Sequence, residues 1–193
     1  FREKLGFREG RILTIFGYVT PEKGYDTALA ALAELPPPVK LLIAGGTRVE
    51  HERAYMDSLQ EDIRARGLSG RVAITGYLEE PELAAAMAVS DLVLVPHTVA
   101  NGSYSVMIAL GYGKAVLASD LACFREIHEQ GGGVELFEAG DERSLAERLG
   151  FLLASASARK ALAGMAAEYA ASRSWASVAD RTRAVYEQVL RTT

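Results

Sequence analysis

Short apolar runs that end at glycine, proline or a polar turn residue alternate with stretches of helical periodicity along most of this chain. Such alternation is typical of βαβ units, in which helices cover both faces of a parallel sheet. It predicts an α/β fold of the Rossmann-like type, with three αβα layers and a central parallel sheet of about six strands. The runs that we assign to strands are 12–16, 40–44, 72–75, 92–95, 115–118 and 134–137.

The segments between these runs are predicted to be helices. Apolar residues recur at helical spacing in four of them, 24–35, 48–66, 81–89 and 103–112. From Asp141 onward we expect two or three more helices. The run 92–95 is apolar at every position, which is expected of a strand in the centre of the sheet, and we assign 134–137 to an edge strand.

Length and composition narrow the possible functions. With 193 residues, 49% of them hydrophobic, the chain suits a single globular domain. A net charge of -4 without a dense basic stripe argues against a nucleic-acid partner, and no apolar run reaches the roughly 20 residues of a membrane-spanning helix. Cys123 is the single cysteine and the histidines are scattered, so we expect no internal disulfide and no metal held by protein side chains. We expect a soluble, cytoplasmic domain.

The start of the chain carries a separate expectation. It begins at Phe1 rather than at methionine, and its first residues are charged and irregular. We interpret residues 1–10 as a linker that follows an N-terminal domain missing from this sequence. Residues 1–193 are then one ligand-binding domain.

The loops after the strands are where a ligand is expected, because open parallel sheets bind ligands outside the carboxyl ends of their strands. In the first loop, Gly17 lets the backbone turn sharply, and Lys23 stands at a helix start, where its ammonium and the positive helix end would converge on an anion. This arrangement predicts a phosphate site. The alternative is an ordinary turn with a solvated lysine. Gly45 and Gly76 open the next two loops.

The loop after the fourth run is rich in small and hydroxyl-bearing residues. It contains Asn101, Gly102, Ser103, Tyr104 and Ser105, directly before a predicted helix. Backbone N–H groups and serine hydroxyls at a helix N-terminus suit a diphosphate or sugar hydroxyls. The alternative is that Ser103 only caps the helix.

Two carboxylates further along are candidates for contact with sugar hydroxyls. Asp120 follows the fifth run, where it is equally plausible as a turn former. Glu126 lies in a short helical piece, 123–127, and a plain surface carboxylate is the competing interpretation. The histidines have no adjacent nucleophile, so a hydrolytic triad has no support.

Taken in order, these segments resemble the C-terminal domain of the group 1 glycosyltransferases, a large family of retaining enzymes with the two-domain GT-B fold. Each segment is a weak motif alone, but their order and spacing cover nearly the whole chain. The segments are Phe16-Gly17-Tyr18-Val19, Pro21-Glu22-Lys23-Gly24, Leu42-Ile43-Ala44-Gly45-Gly46, Val72-Ala73-Ile74-Thr75-Gly76-Tyr77-Leu78, Ser90-Asp91-Leu92-Val93-Leu94-Val95-Pro96 and Gly113-Lys114-Ala115-Val116-Leu117-Ala118-Ser119-Asp120.

The resemblance implies roles for several residues. Lys23 is similar to the lysine of a basic pair that holds the nucleotide diphosphate, and it would be the catalytic residue of this domain. Tyr18 stands at the arginine position of that pair. The backbone around Gly76 and Tyr77 resembles the part that receives the nucleobase.

Two positions depart from the family pattern. The family has two glutamates, one for the donor sugar and one for the ribose, where this chain has Ala100 and Ile108. In a divergent branch, the serines, Asn101 and Glu126 would hold the donor instead. We favour this interpretation because the phosphate-side residues remain. A degenerate domain that has lost transfer activity is the alternative.

The reaction implied by the resemblance is transfer of a hexose from a UDP- or GDP-hexose to a saccharide or lipid-linked acceptor, with retention. The nucleotide sugar is the donor substrate, and no tightly bound cofactor or metal is implied. The missing N-terminal domain would bind the acceptor, so this fragment alone should bind nucleotide weakly and be inactive. Residues 172–193 resemble the helix that crosses back to that domain, and an uncovered apolar side would favour a homodimer.

Other classes of function fit less well. One rival is a catalytically silent nucleotide-sugar-binding or interaction domain within a larger assembly. A sugar-nucleotide epimerase of GT-B architecture would need several acid/base side chains in the cleft, which Ala100 and Ile108 argue against. A receiver or flavodoxin-like domain fits the strand and loop pattern poorly, and the chain lacks the clustered N-terminal aspartates of a receiver.

Overall fold

The computed structural model describes residues 1–192, except for the side chains of His51 and Thr192. Within these residues, six strands form one sheet in which every pairing is parallel, in the order β3-β2-β1-β4-β5-β6. The predicted fold class is confirmed. The strands are β1 (Arg11–Phe16), β2 (Val39–Ala44), β3 (Val72–Ile74), β4 (Leu92–Val95), β5 (Val116–Ser119) and β6 (Val134–Phe137).

Eight α-helices connect and follow these strands in the part of the chain that the structure describes. Short 3-10 turns at Pro21–Lys23 and Glu50–Glu52 precede the first two helices. The helices are α1 (Tyr25–Glu34), α2 (Arg53–Ala65), α3 (Glu80–Val89), α4 (Tyr104–Gly111), α5 (Ala122–Glu129), α6 (Glu142–Ala154), α7 (Ala156–Ala171) and α8 (Trp175–Thr192).

Alternating strand residues divide the core between the two faces of the sheet, as the period of two along a strand requires. Leu13 and Ile15 of β1 pack with α1, α2 and α6. Val93 and Val95 of β4 pack with α3, α4, α5 and α7. All four residues of β4 are buried and the strand lies between β1 and β5, so the predicted central position is confirmed. The predicted edge position of β6 is also confirmed.

One helix begins later than its apolar periodicity predicts. The pattern from residue 48 continues into α2, but regular helix starts only at Arg53. The Glu52 carboxylate accepts hydrogen bonds from the backbone N–H groups of Arg48, at 2.6 Å, and Val49, at 3.3 Å. These contacts give the loop its own hydrogen-bonded turn, so the helix cannot extend backward through it.

Part of the N-terminal segment that we interpret as a linker packs against the domain. Phe7 is only 2% exposed and lies in an apolar cluster with Ile12, Leu42 and Ala86. The Arg2 guanidinium donates to the Gly10 carbonyl at 2.7 Å. Phe7 therefore anchors this segment to the domain, and whether residues 1–10 link to another domain stays a prediction.

The last helix differs from the others in its exposure. Every side chain from 179 to 191 is exposed, and Trp175, which opens α8, is 90% exposed. Of the predicted crossover helix, 172–193, residues 175–192 form α8, 172–174 form the turn before it, and residue 193 lies outside the described residues. That this helix crosses to another domain stays a prediction. In that described part, no helix is both long and apolar enough to cross a bilayer.

Candidate functional site

The strand order reverses direction at β1, which pairs with β2 on one side and β4 on the other. In open α/β sheets the loops that leave such a point diverge and create a crevice at the carboxyl ends of the strands. Here hydrogen bonds join the segment at the end of β1 to the segment that follows β4. The Ser105 hydroxyl donates to the Phe16 carbonyl at 2.8 Å, and the Thr98 N–H donates to the Glu22 carbonyl at 2.9 Å.

Lys23 lies in this crevice, between the segments that follow β1 and β4. It ends the 3-10 turn before α1, and its ammonium donates to the Ser105 hydroxyl at 3.4 Å. Burial lowers the pKa of Lys23, and the neighbouring Glu22 carboxylate partly opposes that shift. The structure therefore brings together two of the residues that the sequence assigned to phosphate binding from separate loops.

Glycines keep the space beside the lysine open. Gly17 has a φ of +122°, and a Cβ built on it would lie 3.2 Å from the Ser105 Oγ and 3.4 Å from the Lys23 Nζ. A Cβ on Gly45 would lie 1.8 Å from the Gly17 carbonyl oxygen. Only residues without a side chain fit at these two positions, so the backbone approaches the crevice closely.

A groove of about 670 Å³ runs from Lys23 across the carboxyl ends of β1 and β2 to the start of α3. This is a typical size for a small-molecule site. Among the predicted binding residues, those that line it are Gly17, Tyr18, Lys23, Gly45, Tyr77, Tyr104 and Ser105. The other lining residues are Phe16, Ala44, Gly46, Leu78, Glu80, Leu83, Ile108 and Tyr112.

Four of the lining residues are tyrosines with exposed rings. Tyr77 and Tyr104 are 71% and 76% exposed, and Tyr18 and Tyr112 are exposed to a smaller degree. The Arg48 guanidinium lies 5.2 Å from the centre of the Tyr18 ring, within the range of a cation–π contact. Aromatic faces at the rim of a groove suit stacking on a nucleobase.

Several predicted residues lie outside the groove lining. Asn101 and Gly102 are exposed on the loop before α4. Ser103 accepts a hydrogen bond from the Val106 N–H at 3.4 Å, so its side chain is the N-cap of α4. Glu126 is exposed on α5, where it accepts from Gln130 at 3.1 Å. Ligand contact by these residues stays a prediction.

Two further predicted residues are explained by their neighbours. A Cβ on Gly46 would lie 3.1 Å from the Gly76 Cα, so Gly76 borders the groove floor without lining it. Asp120 forms an ion pair with Arg125 at 2.7 Å beyond the end of β5. Its contact with a sugar also stays a prediction.

The two positions that depart from the family pattern have different surroundings. Ile108 lines the groove as part of its apolar wall. Ala100 is half-buried against the apolar cluster below α4, and its carbonyl accepts from the Cys123 thiol at 3.5 Å. The wall formed by α4 therefore offers a ligand apolar contact and the hydroxyls of Tyr104, Ser105 and Tyr112 rather than a carboxylate.

Sequence reasoning missed Glu80, the first residue of α3. We placed the start of this helix at Pro81 and so assigned Glu80 to no element. Within the described residues, Glu80 is the single acidic side chain that lines the groove. A signal was available, because the residue that opens a helix after a parallel strand lies at the ligand-binding edge of the sheet.

His97 was also given no role by the sequence. It is buried just after β4, and the centre of its ring lies 5.6 Å from the centre of the Phe124 ring. Burial, together with the nearby Lys23 cation, lowers the pKa of His97 from 6.5 to about 4. The imidazole is therefore neutral near pH 7 and adds no positive charge to the crevice.

The groove contains no clustered metal ligands among the described residues, where no group of three or more His, Cys, Asp or Glu side chains could hold a metal ion. Its charged groups are one ammonium and one carboxylate, Lys23 and Glu80. These two groups suit a ligand that carries an anionic group and, attached to it, a part with hydrogen-bond donors.

Comparison with known proteins agrees with the resemblance that the sequence motifs indicate. A family model described as "Glycosyl transferases group 1" matches residues 1–169. Phosphatidyl-myo-inositol mannosyltransferase of Mycolicibacterium smegmatis is 31% identical over 188 residues, which cover 94% of this chain and 46% of that protein. The chain thus spans about half the length of this curated relative.

Two solved structures of the Anabaena protein HepE share the fold. The complex with UDP has a TM-score of 0.85 and 26% identity, and the match covers 98% of this chain and 51% of the other. The complex with UDP-glucose has a TM-score of 0.81 and 27% identity, covering 89% of this chain and 47% of the other.

Proposed function

We propose, because the chain belongs to the group 1 glycosyltransferases, that its groove binds the nucleoside diphosphate of an activated hexose. The whole protein then transfers that hexose to a hydroxyl of a saccharide or lipid-linked acceptor, with retention at the anomeric carbon. The chain spans about half the length of its curated relatives, so the acceptor site is assigned to a second domain.

The observation that carries the proposal is the Lys23 ammonium held against the Ser105 hydroxyl, at 3.4 Å, where the strand order reverses. A diphosphate placed there meets a cation, a hydroxyl and the backbone of two loops that have no side chain at Gly17 and Gly45. Lysine binds phosphate as a point charge, and backbone N–H groups add directional donors. The rest of the groove leaves room for a nucleoside.

The same groups serve the chemistry. In transfer, the bond between the anomeric carbon and the diphosphate oxygen breaks, and the acceptor hydroxyl oxygen bonds to that carbon and releases its proton. The diphosphate leaves with the bonding electron pair, so its negative charge increases. Lys23 is the catalytic residue of this half, because its preorganised charge meets that growing charge. Loss of one such donor typically costs about 10²–10³ in rate. Closing the second domain over the groove would exclude water from the activated sugar.

The donor is proposed to be a UDP- or GDP-hexose. The HepE structures contain UDP or UDP-glucose, and several relatives are named as mannosyltransferases. No tightly bound cofactor is part of the proposal. The cytoplasmic location and the homodimer stay predictions, and so does the inactivity of this chain alone.

One observation favours a second candidate, a nucleotide-sugar-binding domain without transfer activity. Ile108 gives the α4 wall of the groove an apolar side chain at a position where the resemblance implies a glutamate. Without a glutamate contact at this position, affinity for the donor sugar would be lower, while the Lys23 site would remain intact. An epimerase has no comparable support, since the groove offers few acid/base groups.

Calorimetric titration of the purified chain with UDP and GDP tests the binding proposal. We expect weak, saturable binding of at least one nucleotide, and no binding of either would contradict it. An assay of the full-length protein with UDP- and GDP-hexoses then separates the two candidates. Release of nucleoside diphosphate that depends on an added acceptor supports the transferase, and binding without release supports the silent domain.

A further inference from the structure

The groove has opposite charges at its two ends. Lys23 marks the end at β1 and β4, while Glu80 marks the end where β3 leads into α3. Between them the lining is apolar, aromatic or glycine, apart from the Ser105 hydroxyl. A ligand that fills the groove therefore needs an anion at one end and hydrogen-bond donors at the other.

The Glu80 carboxylate lines the groove without a partner among the described residues. No hydrogen bond or ion pair engages its side chain within the part of the chain that the structure describes, and the side chain is exposed. Glu82, in the same helical turn, pairs with Lys4 at 2.7 Å and lies outside this groove. A helix N-terminus favours a carboxylate in its first turn for purely electrostatic reasons. That preference accounts for a glutamate at either position. Of the two, only Glu80 lines the groove with a carboxylate that no other described residue engages.

The separation of the two charges suits an extended ligand. β3 and β1 have β2 between them, so their ends are about 10 Å apart at two strand spacings. A nucleoside diphosphate carries its anion at one end and its ribose and base at the other. With the diphosphate at Lys23, its nucleoside extends toward Tyr77, Leu78 and Glu80.

We infer that Glu80 accepts hydrogen bonds from paired donors on the nucleoside of the bound nucleotide, and so helps to select the donor substrate. This inference rests on the proposed function. A carboxylate accepts two donors side by side, and its charge strengthens both bonds. Two parts of a nucleotide offer such a pair: the ribose hydroxyls, present in UDP and GDP alike, and the N–H edge of guanine, present only in GDP. Ile108, which lines the same groove on α4, offers neither charge nor acceptor.

Glu80→Gln tests the inference, with Glu79→Gln as the matched control. Glu79 is the preceding residue, is also exposed, and does not line the groove. Both variants and the wild-type chain are titrated with pyrophosphate, UDP and GDP, and thermal unfolding checks that each is folded. Hydrogen bonds to a charged group predict a loss of about 10-fold to 100-fold in nucleotide affinity for Glu80→Gln. Pyrophosphate affinity should stay equal or rise, because a negative charge has been removed.

The pattern of losses identifies the group that Glu80 contacts. Equal weakening of UDP and GDP supports the ribose hydroxyls, and weakening of GDP alone supports the guanine edge. Unchanged affinity for both nucleotides would overturn the inference, as would an equal loss for pyrophosphate. If the wild-type chain binds pyrophosphate but no nucleotide, the proposed function fails as well. If it binds nucleotides that Glu80→Gln binds equally, only the inference fails.

Discussion

The Lys23 ammonium lies 3.4 Å from the Ser105 hydroxyl, although 82 positions separate the two residues in the chain. The same hydroxyl donates to the Phe16 carbonyl at the end of β1. Ser105 therefore joins the loop after β4 to the loop after β1 and holds the lysine at the point where they meet. This relationship turns two weak sequence signals into one site.

Ser105→Ala removes that link. We expect a loss of about 1 kcal/mol in the free energy of unfolding, because the partly buried Phe16 carbonyl loses a hydrogen bond. We also expect severalfold weaker UDP binding, because Ser105 no longer positions the Lys23 ammonium.

The effects of Ser105→Ala and Lys23→Met on UDP affinity should be less than additive, since the residues are in contact. Ser119→Ala is the control, because this buried serine also bonds a carbonyl but lies outside the groove. Strict additivity of the two losses would argue against coupling.

Gly17→Ala tests the close approach of the backbone. A φ of +122° strains any L-residue, and the new Cβ would displace Ser105 and Lys23. We expect a loss of about 1–3 kcal/mol in the free energy of unfolding, measured by urea denaturation. Gly70→Ala should change it little, because nothing lies within 4 Å of a Cβ there. An alanine at position 17 that leaves stability and UDP affinity unchanged would refute the assigned backbone geometry.

His97 should make the domain less stable in mild acid. Its pKa of about 4 in the folded chain lies below the unfolded value of 6.5, so the unfolded chain takes up a proton first as the pH falls. The stabilising contribution is complete above pH 6.5 and is lost progressively toward pH 4. Its size is roughly 3 kcal/mol over that window. The free energy of unfolding of His97→Gln should fall less steeply over this range than that of wild type, and equal slopes would count against a buried neutral imidazole.

Fluorescence of Trp175 tests whether another molecule covers α8. It is the single tryptophan of the chain and is 90% exposed. We expect acrylamide to quench its fluorescence about as efficiently as that of a free tryptophan amide, at every protein concentration. Protection that increases with concentration would instead indicate that a second copy covers the helix, as the homodimer prediction requires.

The sequence was most informative where one physical rule dominated. The run Leu92–Val95 has no polar position, and only the sheet centre buries such a strand on both faces. The meeting of Lys23 with Ser105 followed from the rule that parallel strands present their carboxyl ends at one edge. In both cases local pattern and overall topology agreed.

The parts that the sequence did not predict depend on contacts between distant segments. Phe7 lies in a charged, irregular stretch, and nothing in that stretch reveals the apolar gap between Ile12 and Ala86 that it fills. Glu80 is the first residue of α3, one position before the helix start that the sequence predicts at Pro81. The sequence therefore gives Glu80 no place at the ligand-binding edge. Helix boundaries depend on local capping contacts, which a hydrophobic period does not encode.

Lys23→Met, compared with Lys160→Met, gives the most direct test of the central claim that the crevice at β1 and β4 binds a diphosphate. Methionine keeps the apolar stem and removes the charge, and Lys160 is an exposed lysine on α7 away from the groove. Calorimetric titration with UDP should show affinity at least about tenfold weaker for Lys23→Met than for wild type, with Lys160→Met unchanged. Equal UDP affinity in all three folded proteins would contradict the diphosphate assignment.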